Sequence, residues 1–142
     1  MPDIDMELNS GLAAFEAKEF SRAKQLLSPL ADQGNAEAQH RLGIIYQNGL
    51  GMLKNDLYAY KWMHAAAEQG HAIAQHGLGF MYLHGECVNK SEADAVKWFR
   101  MAAEQGLIGS QMILADLYET GQGVDKDLDE AQKWKKRAEE QD

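Results

Sequence analysis

Cysteine, proline and long apolar runs are scarce in this sequence, and each scarcity excludes a class of protein. The 142 residues contain one cysteine, Cys87, so no intrachain disulfide can form. Only two prolines occur, and helix-forming Ala, Glu, Lys, Leu, Gln and Met dominate, which favours helix over sheet. No apolar run approaches the roughly 18–20 residues that a transmembrane helix needs. The sequence therefore predicts an all-α protein without disulfides and without a membrane span.

Charge and the first residues bear on partners and on compartment. The formal net charge is −8, and a polyanion would be repelled by most of such a surface, so nucleic acid is not expected as a partner. The N-terminus is acidic and lacks the positive-then-apolar order of a secretory signal. A single cysteine fits a reducing compartment. These features favour the cytoplasm, although an exported protein whose signal has been removed would look the same.

Three consecutive blocks of 36 residues, 35–70, 71–106 and 107–142, repeat one pattern. Each block has Gln at its fifth position, Leu at its eighth, Tyr at its twelfth and Gly at its fifteenth, followed by a shared Lys, Ala and Trp. A fixed period of this length is typical of stacked repeats, in which one unit cannot bury its apolar face alone.

Each block contains two segments with helical periodicity. Apolar or small residues recur at spacings that place them on one helical face in both halves. The recurring tryptophans Trp62, Trp98 and Trp134 fall on the apolar stripe of the second half, so we expect them in the core. In the first block the two stripes are Ala38, Leu42, Ile45 and Tyr46, then Ala59, Trp62, Met63 and Ala66.

Polar caps and glycines mark the ends of the second helix in each pair. Asn, Ser or Asp stands where this helix should begin and can accept hydrogen bonds from its free amides. Glycine follows its end, where a left-handed residue is typical. The candidate caps are Asn55, Ser91 and Asp127, and the terminal glycines are Gly34, Gly70 and Gly106.

The first 34 residues read as a fourth, divergent hairpin, with helical segments around 11–15 and 20–23 and a tight turn between them. The chain is therefore predicted to be one repeat domain, 1–142, with eight helices in four antiparallel pairs. Because each repeat adds the same small rotation, the stack should coil into a superhelix with a concave inner face.

The turn 121–127, Gly-Gln-Gly-Val-Asp-Lys-Asp, together with the Ala-x-x-Trp and Ala-Ala-Glu-Gln-Gly segments, resembles the Sel-one-like repeat. This repeat is a relative of the tetratricopeptide repeat with a longer turn. The resemblance covers residues 35–142, and residues 9–34 are similar to a plain tetratricopeptide hairpin. It implies a right-handed α-solenoid that serves as an adaptor or scaffold for other proteins. One branch of the family is described as penicillin-binding or β-lactamase-like and has a disulfide in each repeat, and this chain lacks those cysteines.

A hydrolase is the main alternative. Ser21 and Lys24 match the Ser-x-x-Lys pattern of serine acyl enzymes, and one helical turn would bring the amine to the hydroxyl. The partner motifs Ser-Asp-Asn and Lys-Thr-Gly are absent, and Ser21 also stands at a helix start, an ordinary capping position. We therefore predict no enzyme activity and no catalytic residue, with a β-lactamase-like hydrolase as the alternative.

Five histidines lie between residues 40 and 84, but none forms a His-x-x-x-His or other zinc motif. His40 and His76 are equivalent in successive repeats, so we expect them roughly 10 Å apart, the spacing of packed helices. The sequence therefore predicts no metal and no cofactor. A small-ligand or metal-binding groove built on His40, His76 and His84 is a further alternative.

In helix-pair repeats the first helix of each pair lines the concave side, so the face opposite its buried stripe should meet a protein or peptide partner. The middle repeat places Ile73, Phe80 and Leu83 on this face, and exposed apolar patches favour interaction. The alternative is that Phe80 and Leu83 pack between repeats. The oligomeric state is left open. The predicted partner-binding residues are Glu37, His40, Ile44, Asn48, Ile73, His76, Phe80, Leu83, His84, Met112 and Asp116.

Overall fold

In the computed structural model, which describes residues 4–141, all regular structure is α-helical. Eight helices of 13 residues follow one another, and no strand occurs among the described residues. The predicted all-α fold is confirmed. Residues 1–3 and 142, which the predicted first hairpin and last repeat include, lie outside the described residues. The helices are α1 (Ile4–Glu16), α2 (Phe20–Asp32), α3 (Ala36–Asn48), α4 (Asp56–Glu68), α5 (Ala72–His84), α6 (Glu92–Glu104), α7 (Ile108–Thr120) and α8 (Leu128–Glu140).

Helices pack in consecutive pairs within two units of the chain, the first ending at His71 and the second beginning at Ala72. In the first unit α1 packs on α2, α3 packs on α4, and α2 also contacts α3. The second unit repeats this arrangement with α5 on α6, α7 on α8, and α6 against α7. Each unit is therefore two helical hairpins joined through their inner helices.

Side-chain caps begin the second helix of all three repeats, as the spacing predicted. Asn55, Ser91 and Asp127 each accept a hydrogen bond from the backbone N–H three residues later, at 3.0, 3.2 and 3.1 Å. Each bond satisfies an amide that has no partner inside its own helix. The predicted caps are confirmed, and they fix where the long turn ends.

The long turn needs left-handed backbone at two positions, and the second repeat supplies the second of them without glycine. At Gly123, φ is +73° and a Cβ would lie 2.4 Å from the carbonyl oxygen of Glu92, so glycine is required there. Cys87 takes the equivalent position one repeat earlier with φ of +66°. A side chain disfavours this conformation, so the middle turn is strained where the other turns are relaxed.

Buried glutamines tie the two hairpins of each unit together. The amide of Gln39 donates to the carbonyl oxygen of Ala31 at 3.1 Å, and Gln111 donates to that of Ala103 at 3.0 Å. Both carbonyls belong to the last turn of the preceding hairpin's second helix. Because a buried amide needs a partner, this contact explains why glutamine occupies the fifth position of the first and third repeats.

The tryptophans do not share one environment. Trp98 and Trp134 are buried in the second unit, as predicted, with exposures of 6% and 7%. Trp62 is only half-buried, which differs from the prediction. A cation contacts each of these rings, with Lys61 4.6 Å from the ring centroid of Trp62 and Arg137 4.6 Å from that of Trp134, so the cation–π contact does not account for the difference in burial.

Candidate functional site

The predicted partner-binding residues of the first unit divide by exposure. Asn48 is exposed, and Glu37 and Ile44 are half-buried. His40 differs from the prediction, because it is only 7% exposed. The ring of His71, the residue just before α5, lies over it with 4.6 Å between ring centroids and thereby removes His40 from the open face.

Glu37 is the centre of a polar network in this unit. Its Oε1 accepts from Nε of Arg41 at 2.9 Å, and its Oε2 lies 2.7 Å from Nε2 of His71. Arg41 also donates to Oε1 of Glu16 at 2.9 Å. Burial alone would raise the pKa of Glu37, but the hydrogen bonds from His71 and Arg41 outweigh it, and the pKa lies below its ordinary value.

His40 lies beside this network but is not hydrogen-bonded through Nδ1. That atom is buried and has no hydrogen-bond partner among the described residues. The pKa of His40 is lowered to about 4, chiefly because the ring is buried and in part because of the nearby His71, while Glu37 opposes the shift. One ligand atom from each of Glu37, His40 and His71 lies within 4.8 Å of the other two, and we call these three residues the His40 cluster.

The sequence pattern does not predict the His40 cluster. It makes His76 the equivalent of His40 in the next repeat, whereas the residue that approaches His40 is His71. Glu37 and His71 are 34 residues apart, close to one repeat length, and this spacing was the available signal. Two residues separated by nearly one repeat length are expected to meet, because the end of a hairpin's second helix packs beside the start of its first helix.

In the second unit the predicted residues again divide by exposure. Ile73 is 55% exposed, and His84 is also exposed. Phe80 and Leu83 are partly buried against the core formed by α6, α7 and α8, and the Phe80 and Phe99 rings meet edge to face with centroids 5.2 Å apart. Packing toward the core, the alternative considered for Phe80 and Leu83, is what the structure shows.

His76 also makes an internal contact. Its Nδ1 lies 2.6 Å from the hydroxyl oxygen of Ser110 on α7, and burial lowers its pKa. A Cβ added to Gly109 would lie 3.5 Å from the His76 ring, so α7 passes close over this histidine. His76 is therefore half-buried against α7, whereas Ile73 and His84 of the same predicted face stay exposed.

Met112 and Asp116, the last two predicted residues, are exposed. They line a cleft of about 350 Å³ between α7 and α8. Met112 is 57% exposed, and Nζ of Lys135 at the cleft edge lies 2.6 Å from Oε2 of Glu119. We call this feature the α7–α8 cleft. Its residues are Ile108, Met112, Asp116, Lys135, Ala138 and Glu139.

Ser21 and Lys24 line another cleft of about 350 Å³, together with residues of the turn after α3. Ser21 does not cap its helix, because α2 begins at Phe20 and its N-cap residue, Glu19, makes no side-chain cap bond. Nζ of Lys24 lies 5.6 Å from the ring centroid of Tyr46. None of the described residues lining this cleft is a histidine or a carboxylate, so a hydrolytic site would have Lys24 alone as its base.

The Sel1 repeat pattern matches three segments of the chain, 36–71, 72–107 and 109–142. The chain belongs to the Sel1 repeat family. Each matched segment is one of the hairpins described above, shifted by one or two residues from the predicted blocks. Sel1 repeats generally form protein–protein interaction modules, and proteins built from them are typically non-enzymatic scaffolds.

Solved Sel1 structures are similar over most of the chain. A Sel1 repeat protein from Oxalobacter formigenes is 38% identical with a TM-score of 0.90, covering 95% of this chain and 56% of its own. The Escherichia coli protein c5321, a protective antigen of uropathogenic strains displaying an SLR fold, is 39% identical with a TM-score of 0.80, covering 82% of this chain and 25% of its own. The chain thus spans about half and a quarter of these relatives.

The fold alone is shared with cysteine-rich protein B of Helicobacter pylori, which is 19% identical with a TM-score of 0.68, covering 86% of this chain and 87% of its own. No curated protein sequence matches the chain significantly. Among the described residues, no helix has the length and apolar character that crossing a membrane requires.

Proposed function

We propose that this chain is a protein-interaction module that binds a helix of a partner protein in the α7–α8 cleft. The observation that carries the proposal is the exposure of Met112 in a cleft whose equivalent, one repeat earlier, is occupied by a helix. The remaining exposed members of the predicted surface, Asn48, Ile73 and His84, are further positions at which a partner would be sought.

The repeat itself indicates that the occupant is a helix. His76 stands on α5 where Met112 stands on α7, and within the second unit α7 lies against the α5–α6 hairpin at this position. The contact includes Ser110, with its hydroxyl 2.6 Å from His76, and the closely approaching Gly109. Hairpin α7–α8 offers the same kind of surface, and no described helix covers Met112 to the same extent.

The composition of the cleft supports a particular kind of partner. Its lining includes the apolar Ile108, Met112 and Ala138 and the negatively charged Asp116 and Glu139. The one basic residue there, Lys135, is already paired with Glu119. An amphipathic helix with an apolar face and a flanking Lys or Arg would fit, because complementary edge charges favour the encounter.

Position-specific photocross-linking in cells of the source organism tests the proposal. A photoreactive phenylalanine analogue replaces Met112 in one variant and Leu57 in a control variant, since Leu57 is an equally apolar, 73% exposed residue on α4. We expect one partner segment to be captured at Met112 and not at Leu57. That segment is then synthesised and its affinity for the purified chain is measured.

Support requires that the isolated segment becomes helical on binding and that Met112→Lys weakens its affinity at least about tenfold, or about 1.4 kcal/mol, while Leu57→Lys does not. Adducts that do not depend on position, a segment whose affinity is unchanged by Met112→Lys, or cross-links only between two copies of this chain would overturn the proposal.

A further inference from the structure

We propose that the His40 cluster, Glu37, His40 and His71, binds a divalent transition-metal ion of the Zn²⁺ type. The three side chains come from the first helix of one repeat and from the residue before the next helix. They supply two imidazole nitrogens and one carboxylate oxygen. This donor set is one that Zn²⁺ accepts in proteins, and three protein ligands leave a further coordination position open.

The geometry is close to what coordination needs. The three ligand atoms lie within 4.8 Å of one another, and the closest pair, Oε2 of Glu37 and Nε2 of His71, is 2.7 Å apart. An ion that is about 2.0–2.2 Å from each donor holds donor atoms roughly 3–3.5 Å apart. Small rotations of the Glu37 and His71 side chains, which are 33% and 14% exposed, would complete the site without moving a helix.

Two further observations point to a ligand at this place. His40 is 7% exposed, yet its Nδ1 has no hydrogen-bond partner among the described residues, and a buried polar atom left unpaired is costly. The second observation is that Oε1 of Glu37, the oxygen that does not face His71, accepts a hydrogen bond from Nε of Arg41 at 2.9 Å. An outer partner of this kind orients a ligating carboxylate and fixes which oxygen faces the ion.

The chain contains its own control for the site. One repeat later, the positions of Glu37, His40 and His71 are taken by Ile73, His76 and Leu107, which leaves a single potential ligand. A second control is the pair of His64 and Glu68 on the surface of α4, where Nε2 lies 3.2 Å from a carboxylate oxygen. This pair offers two potential metal ligands. No third ligand residue joins them among the residues that the structure describes.

Titration calorimetry of the untagged full chain with ZnCl₂, repeated with CoCl₂ while the visible absorption of the ion is recorded, tests the site. We expect one ion per chain, with a Co²⁺ spectrum that shows nitrogen and oxygen coordination, and a melting temperature that rises when Zn²⁺ is added. Glu37→Gln and His71→Leu should each weaken binding at least about tenfold, whereas His64→Ala should leave it unchanged.

Glu37→Gln conserves shape and keeps the side chain able to accept from Arg41, and His71→Leu introduces the residue found at the next repeat, so both variants should fold. Circular dichroism and the metal-free melting temperature verify this. The proposal is overturned if the wild-type chain binds no Zn²⁺, if both variants bind as tightly as the wild type, or if His64→Ala removes the binding.

Discussion

The two units of this chain share one backbone arrangement and differ in what they place on it. The amide of Gln69 donates to Gln39 at 2.9 Å in the first unit, and that of Gln105 donates to Gln75 at 2.9 Å in the second. The backbone N–H of His71 and that of Leu107, which begin the next repeats, both donate at 3.2 Å to the helix before them.

The side chains on this shared frame give the units different properties. The first unit has a carboxylate and two imidazoles in contact, and the second has Ile73, His76 and Leu107 at the same positions, with His76 bonded to Ser110 instead. The second unit in turn buries its aromatic residues more completely. A repeat can therefore hold its fold constant while single substitutions change the chemistry of each copy.

The largest difference between the units should appear in the tryptophans. Trp98→Ala in the second unit should lower the free energy of unfolding by about 3–5 kcal/mol, because a buried ring leaves a cavity. Trp62→Ala in the first unit should lower it by less than half as much, since that ring is half-buried. Urea unfolding of the two variants measures both values. Equal losses would mean that the units are packed alike.

Phe80→Ala should cause the next largest loss in the free energy of unfolding. Phe80 packs edge to face on Phe99 and against the core of the second unit, so we expect a loss of about 2–3 kcal/mol. Ile44 occupies the same position in the first unit, and Ile44→Ala should cost less because no ring contact is lost. A Phe80→Ala variant as stable as the wild type would place this side chain on an open face after all.

Cys87→Gly should stabilise the protein by about 1 kcal/mol, because it relieves a left-handed residue that the other repeats avoid with glycine. The reverse change in the first unit, Gly51→Cys, should destabilise it, since a Cβ there would lie 3.0 Å from Phe20. Thermal unfolding of both variants checks the pair. A destabilising Cys87→Gly would show that the thiol makes a contact that outweighs the strain.

The smallest expected effect is at Ser21. Neither the wild-type chain nor Ser21→Ala should turn over a chromogenic β-lactam, because the cleft around Ser21 and Lys24 has no histidine or carboxylate among its described lining residues. Turnover by the wild type that disappears in Ser21→Ala would establish the hydrolase alternative.

The repeat could be predicted from sequence because its determinants are local. Asn55, Ser91 and Asp127 reveal their capping roles by position alone, and the glutamine at the fifth position marks each of the three 36-residue repeats. The exposure of the predicted partner-binding residues was harder to predict, because it depends on which helix packs over each helical face. His40 and His76 have the same spacing as exposed residues, and only the structure shows that His71 covers His40 and that Ser110 half-buries His76.

A transplant of the His40 cluster into the second unit tests most directly whether residue identity on a constant frame decides the chemistry. Ile73→Glu combined with Leu107→His recreates the donor set of the first unit around His76. We expect the double variant to bind two Zn²⁺ ions per chain by calorimetry, whereas the wild type binds one. A folded double variant that still binds one ion would contradict it.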